Sequence, residues 1–414
     1  MIMAKKYLYF QPECVGKFKC DGSKCDARCC KGWRIDIDAA TYKKYSRIKP
    51  KNKAKEITSH MNFDSKRENY VITLKENCCP FLNENNLCRL QLEYGEEFLS
   101  QTCATYPRST FAFGKFFERS LTLTCPVAAE MILFAEEPMK FEFVEVPEKV
   151  HSNHGKIKLV QNFPASEKAA EQMLAVQMAI ISILQERTLS INQRLIVLCF
   201  FVDKLEEVYS RGLDEDELKK LIAVYESKEF LAEQVPLMIQ TVNFDAEKFI
   251  RLMMEMFEAF YSTKEVQLNE KGHIFLNTVI NTLQIKSDEN NFVSLSKITA
   301  NYEQLAEARK KFFADYSTFL ENYLVNELFY NLYPWKHNPR PSRSLSVFLI
   351  TYKVFELLTF AAIQNNLSSK DSLLKLVDWY TNQIDHGERL QEKIFAYLEE
   401  RNDFFELMET LLDK

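Results

Sequence analysis

Glycine is scarce, with nine residues in 414. No two of them stand in the G-x-G-x-x-G or G-x-x-x-x-G-K-[ST] arrangements that bring backbone amides onto a phosphate. A familiar dinucleotide or nucleoside-triphosphate site is therefore not expected. An export signal is also missing, since the opening MIMAKKYLYFQPEC has no apolar run of the necessary length; a cytoplasmic protein is expected. Histidine is sparse, and of the six only His151 and His154 approach a ligand spacing, within a polar connector where solvent-facing histidines are commonplace. One apolar run is long enough to raise the question of a membrane, Leu345 to Ile363. Lys353 and Glu356 lie near its middle, each costing about 2.5 to 3.5 kcal/mol at a bilayer centre. It reads as a core helix, and no membrane insertion is expected.

What remains is an ordinary globular composition, 46% hydrophobic and 27% charged, of a length that suits two or three domains. The charge is uneven. Residues 1–125 carry 22 Lys and Arg against 14 Asp and Glu, and the rest carry 31 against 44. A basic head of this kind suits an acidic protein surface, an anionic cofactor or its own metal-bound thiolates. Nucleic acid is not an expected partner, because no basic helix interleaved with exposed aromatics is evident.

The pattern along the chain predicts a mainly α protein. Residues 1–137 form a cysteine-rich, irregular, metal-bound domain of short helices and loops, held more by metal than by a large core. Residues 138–160 form a short strand and connector, with Phe141 and Phe143 alternating between Pro138 and Pro147. Residues 161–414 form a helical domain. Its stripes include Met173, Val176, Ile180 and Leu184; Leu195, Leu198, Val202 and Leu205; and Phe249, Leu252, Met256 and Phe260. Asp214 or Asp216, and Asn243 or Asp245, offer helix caps.

Ten of the eleven cysteines precede residue 126. Cys20, Cys25, Cys29 and Cys30 make one cluster; Cys78, Cys79, Cys88, Cys103 and Cys125 a second; Cys14 stands before both. Without an export route, such density points to metal rather than disulfides. Zinc usually declares itself in C-x2-4-C pairs, whereas iron–sulfur ligation tolerates wider spacing and a Cys-Pro neighbour such as Cys125-Pro126. Iron–sulfur is the favoured reading, with zinc as the alternative and metal-free packing as the third. Adjacent cysteines point different ways, so one member each of Cys29/Cys30 and Cys78/Cys79 serves a second site or the core. Cys14 and Cys78 are the first to set aside, and Cys199, inside LIVLCFF, is a packing residue.

The strings FKCDGSKCDARCCKGWRIDIDAATYKKY, CPFLNENNLCRLQLEYGEEFLSQTCATYPR and ERSLTLTCPVAAEMIL, with a later island FLENYLVNELFYNLYPW at 319–335, resemble the flagellin lysine N-methylase family. The resemblance is strong over residues 18–133. It implies methyl transfer from S-adenosylmethionine to surface lysines of flagellin with an iron–sulfur centre, of the 4Fe-4S kind. The family's cysteine pattern falls on Cys20, Cys25, Cys29, Cys30, Cys79, Cys88, Cys103 and Cys125. A radical S-adenosylmethionine spacing, C-x3-C-x2-C, is absent, the nearest being Cys25-x3-Cys29-Cys30; that departure counts against radical chemistry without deciding between it and simple displacement on the sulfonium methyl.

Beyond the cysteines, Arg108 is a candidate to hold the donor's carboxylate, and Tyr106 and Tyr323 to orient the amine. Each has a competing structural role: a carboxylate partner near Cys103 for Arg108, packing or capping for the tyrosines. Glu321 and Asn326 fall about 140° apart on one helix, whereas Tyr323 and Asn326 share a face. Trp33 is expected as a lid over the metal loop. The competing function is a metal-stabilised interaction or redox module, zinc or iron–sulfur, without methyltransferase activity.

Overall fold

The structure is a computed structural model describing residues 6–22, 25, 27–113, 116–147, 158–159, 167–212, 214–261, 270–285, 293–334, 340–386, 388–401 and 403–414. His151 and His154 lie outside the described residues. Contacts divide the chain into two units, Met1–Met131 with Lys140–Val160, and Ile132–Met139 with Gln161–Lys414. Eighteen α-helices are found among the described residues, and the protein is mainly helical.

The first unit corrects the expectation of an irregular domain, because two sheets organise it. Strands β1 (Lys6–Pro12), β5 (Arg108–Phe113), β6 (Phe116–Leu121), β7 (Phe141–Pro147) and β8 (Lys158–Leu159) form a sheet in the order β7-β1-β6-β5-β8. Strands β2 (Asp36–Ile37), β3 (Met61–Asp64) and β4 (Asn69–Ile72) form a smaller one, β2-β4-β3. The larger sheet hides in the sequence because its central strands are covered on both faces. In β6, Phe116 and the whole run Glu118 to Leu121 are buried, so neither alternation nor an apolar run marks the strand. Aromatic pairs bind the neighbouring strands: Tyr9 stacks on Phe117 with ring centroids 5.2 Å apart, and Phe10 meets Phe143 at 4.9 Å.

Around the smaller sheet, Ile35, Ile37, Tyr45, Ile48, Ile57, Ile72, Phe81 and Leu90 form a core that includes Cys79. Asp38 caps the Ala39–Tyr45 helix, accepting from the Thr41 amide at 2.8 Å, and also takes the Gln101 amide at 3.2 Å. One carboxylate thereby fastens two helix starts.

The second unit holds twelve helices among the described residues, from Glu167–Leu184 to Phe404–Leu411. The three apolar stripes are all buried. Asp214 caps its helix through the amides of Asp216 and Glu217, and Asp245 accepts from the Lys248 amide at 3.0 Å. The Pro341–Gln364 helix has the length and composition of a membrane span, but 83% of its most apolar window is buried within the protein. The two charges near its middle neutralise one another inside: Lys353 Nζ donates to both Glu356 oxygens at 2.9 Å and to Asn192 Oδ1 at 2.9 Å. Cys199 is fully buried in the Ile191–Ser210 helix.

Candidate functional site

No disulfide joins the eleven cysteines. The 3-10 turn Arg28–Cys30 follows Ala27, whose φ of 52° reverses the chain, and presents two adjacent thiols. The Cys29 and Cys30 sulfurs are 3.7 Å apart. Cys30 also hydrogen-bonds the Cys79 thiol, and the Cys79 amide donates to the Cys30 carbonyl at 2.7 Å. Cys30, Cys88 and Cys103 pack against the core that contains Cys79. Cys88 and Cys103 both lie within electrostatic reach of Cys79 and Cys29. The hydrogen bond from Cys30 holds Cys29 down to about 7, and the same partnerships raise Cys30. Burial pushes Cys103 up to about 12.

The remaining family-pattern cysteines gather in a second neighbourhood. Cys125 lies within electrostatic reach of Cys25 and Cys20, and Cys20 of Cys29 and Cys25. Burial pushes Cys125 up to about 11. Cys29 faces both groups, so the adjacent pair Cys29/Cys30 is the hinge between them. Cys14, in the Glu13–Lys17 helix, is pushed by burial up to about 11, and Cys78 is engaged through its backbone in bridges to Lys31 and Lys75.

Three of the other candidates lie in this same unit. Trp33 donates from Nε1 to the Cys29 carbonyl at 3.0 Å, and its ring centroid is 6.4 Å from that of Tyr106. The Tyr106 hydroxyl is 3.2 Å from Thr124 Oγ1, beside Cys125. Arg108 donates from Nη2 to the Phe18 carbonyl at 3.1 Å and lies over the Phe18 ring. Burial lowers the Arg108 pKa, against the favourable fields of Glu96, Cys20 and Cys125. Tyr323 belongs to the second unit and is packed as a core side chain, 3% exposed and stacked on Phe355 at 3.8 Å. Glu321 and Asn326, on its helix, are 1% exposed; Glu321 is clamped by Arg194 at 2.7 Å and Arg187 at 2.9 Å.

Among the described residues, no three His, Cys, Asp or Glu side chains are placed to hold one metal ion. The donor chemistry is that of a thiophilic centre, since the eight thiols gather in two neighbourhoods, Cys29 facing both, and burial opposes ionisation of Cys103 and Cys125, a cost that a bound metal removes by taking the thiolate directly.

Residues 177–412 match the model of the FliB lysine N-methylase C-terminal domain. The chain belongs to the FliB lysine N-methylase family. It is 24% identical over 406 residues to a lysine-N-methylase of Salmonella typhimurium strain LT2, covering 95% of this chain and 96% of that protein. A lysine-N-methylase of Salmonella choleraesuis strain SC-B67 matches to the same extent. The flagellar biosynthetic protein FliU of Salmonella muenchen is 33% identical over 143 residues, 31% of this chain and 79% of FliU. No solved structure matches. Gln11, Thr110 and Arg119, buried polar residues of the larger sheet, stand outside the residues singled out from the sequence; for Arg119 the available signal is the charged pair Glu118-Arg119 directly after two phenylalanines in FFERSL.

Proposed function

We propose that this FliB-family protein is a cytoplasmic protein-lysine N-methyltransferase that modifies flagellin with S-adenosylmethionine and carries an iron–sulfur cluster, of the 4Fe-4S kind. The observation that carries this reading is the likeness to lysine-N-methylases along 95% of the chain, supported by the flagellar name of a further relative and by the two thiol neighbourhoods of the first unit.

In the reaction, the neutral lysine amine attacks the sulfonium methyl: an N–C bond forms, the S–C bond breaks with its electron pair going to sulfur, and the amine loses one proton. The protein's task is in-line placement and a route for that proton. Tyr106 is the candidate for orienting the amine, and Arg108 for holding the donor's carboxylate. Cys20, Cys25, Cys29, Cys30, Cys79, Cys88, Cys103 and Cys125 are the proposed donor set, from which one 4Fe-4S cluster would take four as thiolates; the cluster would supply an iron centre held among buried sulfurs. Zinc is the alternative occupant. Tyr323, buried and stacked, is assigned to packing.

The test is mass spectrometry of flagellin after incubation with anaerobically purified protein and S-adenosylmethionine. Methyl additions confined to lysine side chains are expected. Folded, metal-loaded protein that binds flagellin without modifying it would overturn the reading in favour of a metal-stabilised interaction or redox module. Absorbance of the purified protein separates the metals, a broad iron–sulfur shoulder in the visible against colourless zinc.

A further inference from the structure

Three neighbouring strands of the larger sheet place polar side chains in one row. Thr110 on β5 is paired with Arg119 on β6. The parallel register of β1 with β6, Tyr9 with Phe117 and Phe10 with Glu118, sets Gln11 beside Arg119 one step further on. Side chains two residues apart share a sheet face, so Gln11, Arg119 and Thr110 lie on the same face as Tyr9 and Arg108. Gln11, Arg119 and Thr110 are 3, 8 and 4% exposed. Arg119 is packed over the Tyr9 ring at 3.9 Å.

Each member of this row has a buried polar atom without a hydrogen-bond partner: Nε and Nη2 of Arg119, Oε1 of Gln11 and Oγ1 of Thr110. Groups left in this state forfeit their hydration with nothing in return, and native proteins rarely leave them so. Three in adjacent register positions make the row a place where a polar ligand would recover those hydrogen bonds.

The order of charge across the row says which ligand. Gln11 donates from Nε2 to Glu142 Oε1 at 3.1 Å, and Glu142 is its register partner on β7. Negative charge thus stands at one end, with Gln11 Oε1 as the open acceptor beside it. Arg119 presents two open N–H donors one strand away, and Arg108, on the same face, adds a second positive charge. An α-amino-acid group has the matching order, an ammonium and a carboxylate on one carbon. The guanidinium takes the carboxylate with two N–H groups, as arginine is built to do; Thr110 Oγ1 adds a third donor, and the ammonium donates to Gln11 Oε1.

We propose that the Gln11–Arg119–Thr110 row binds the amino-acid end of the methyl donor. The proposal rests on the methyl-donor reading above and gives it a binding site. Arg119 thereby becomes the principal carboxylate ligand, with Arg108 as the neighbouring charge.

The experiment is calorimetric titration of the full-length, metal-loaded protein with S-adenosylhomocysteine and with 5′-methylthioadenosine, which shares the adenosine thioether but lacks the amino-acid end. Wild-type protein should bind the first at least tenfold more tightly. Arg119→Gln should weaken S-adenosylhomocysteine about thirtyfold, the loss expected from charge-assisted hydrogen bonds, and leave methylthioadenosine unchanged. Thr110→Val, nearly isosteric, should weaken the first ligand several-fold and carries the test if Arg119→Gln does not fold. Equal affinity of wild type and variant for S-adenosylhomocysteine would overturn the row and leave the methyl-donor reading intact. Wild-type protein that binds no S-adenosylhomocysteine would overturn both.

Discussion

Glu321 offers a sharp test of whether the charged residues of the helical unit hold the fold or serve the chemistry. Its carboxylate is 1% exposed and receives Arg194, itself 4% exposed, at 2.7 Å. Arg187 adds Nε and Nη2 contacts at 3.1 and 2.9 Å from a side chain 38% exposed. Replacing Glu321 by Ala leaves the Arg194 charge buried without its counter-ion, a change that costs about 3 to 5 kcal/mol in comparable sites. Two features pull the value to the lower end. Arg194 keeps the carbonyls of Leu189 and Leu184, both at 2.9 Å, and Arg187 can turn toward water. We therefore expect about 3 kcal/mol for Glu321→Ala, about 1 to 2 for Glu321→Gln, which retains one acceptor, and at most about 1 for Arg187→Ala. Urea unfolding followed by circular dichroism reads these values as shifts in midpoint at constant slope. An Ala variant within about 0.5 kcal/mol of wild type would refute the structural role. A folded variant of unchanged stability that no longer methylates flagellin would move Glu321 into the site.

Four further outcomes are expected. Cys25→Ser or Cys125→Ser should lower bound metal and destabilise the first unit, whereas Cys199→Ser should leave metal content unchanged; elemental analysis of the three variants reads the difference, and equal content would remove the assignment. Burial alone would raise the Asp38 pKa, but the Thr41 hydroxyl and amide and the Gln101 amide outweigh it and hold the carboxyl below its usual range. Its contribution is therefore complete above about pH 4 and is lost as pH falls through the depressed folded value. Asp38→Ala should cost about 1 to 2 kcal/mol at neutral pH and flatten the acid limb of a stability profile. Binding to flagellin should weaken with salt, since the first unit is basic and the remainder acidic; salt-independent affinity would indicate an apolar contact. Protein that keeps its circular dichroism after mild oxidative loss of metal should no longer methylate flagellin, and unchanged transfer would return the cysteines to a structural role.

The helical unit was legible because its stripes are one-sided and long. Val176, Ile180 and Leu184 recur at the helical period and are buried where that period puts them. Even the apolar run around Lys353 could be read, since its two charges are three residues apart on one helix and find each other. The helix through Glu321 was harder. Between Phe319 and Phe329 it is buried all the way round, so angular arguments about which of Glu321, Tyr323 and Asn326 share a face say nothing about which is free to act.

The first unit escaped for the opposite reason. A strand covered on both faces loses its alternation, and when it also buries Arg119 and Glu118 it loses its apolar signature as well. Cysteine content announced a thiol-rich unit because that inference needs only composition. The sorting of Cys30, Cys79, Cys88 and Cys103 into one neighbourhood, and of Cys20, Cys25 and Cys125 into another, needed the chain reversal at Ala27 and the return of Cys79 to the Cys30 carbonyl. Neither is written in the spacing. The same two-sided burial that hid the sheet is what gives the Gln11–Arg119–Thr110 row its chemical meaning. A guanidinium in an exposed strand would satisfy itself with bulk water, whereas Arg119, at 8% exposure, keeps Tyr9 as a partner and two further N–H groups, for which the proposed acceptor is the carboxylate of the methyl donor.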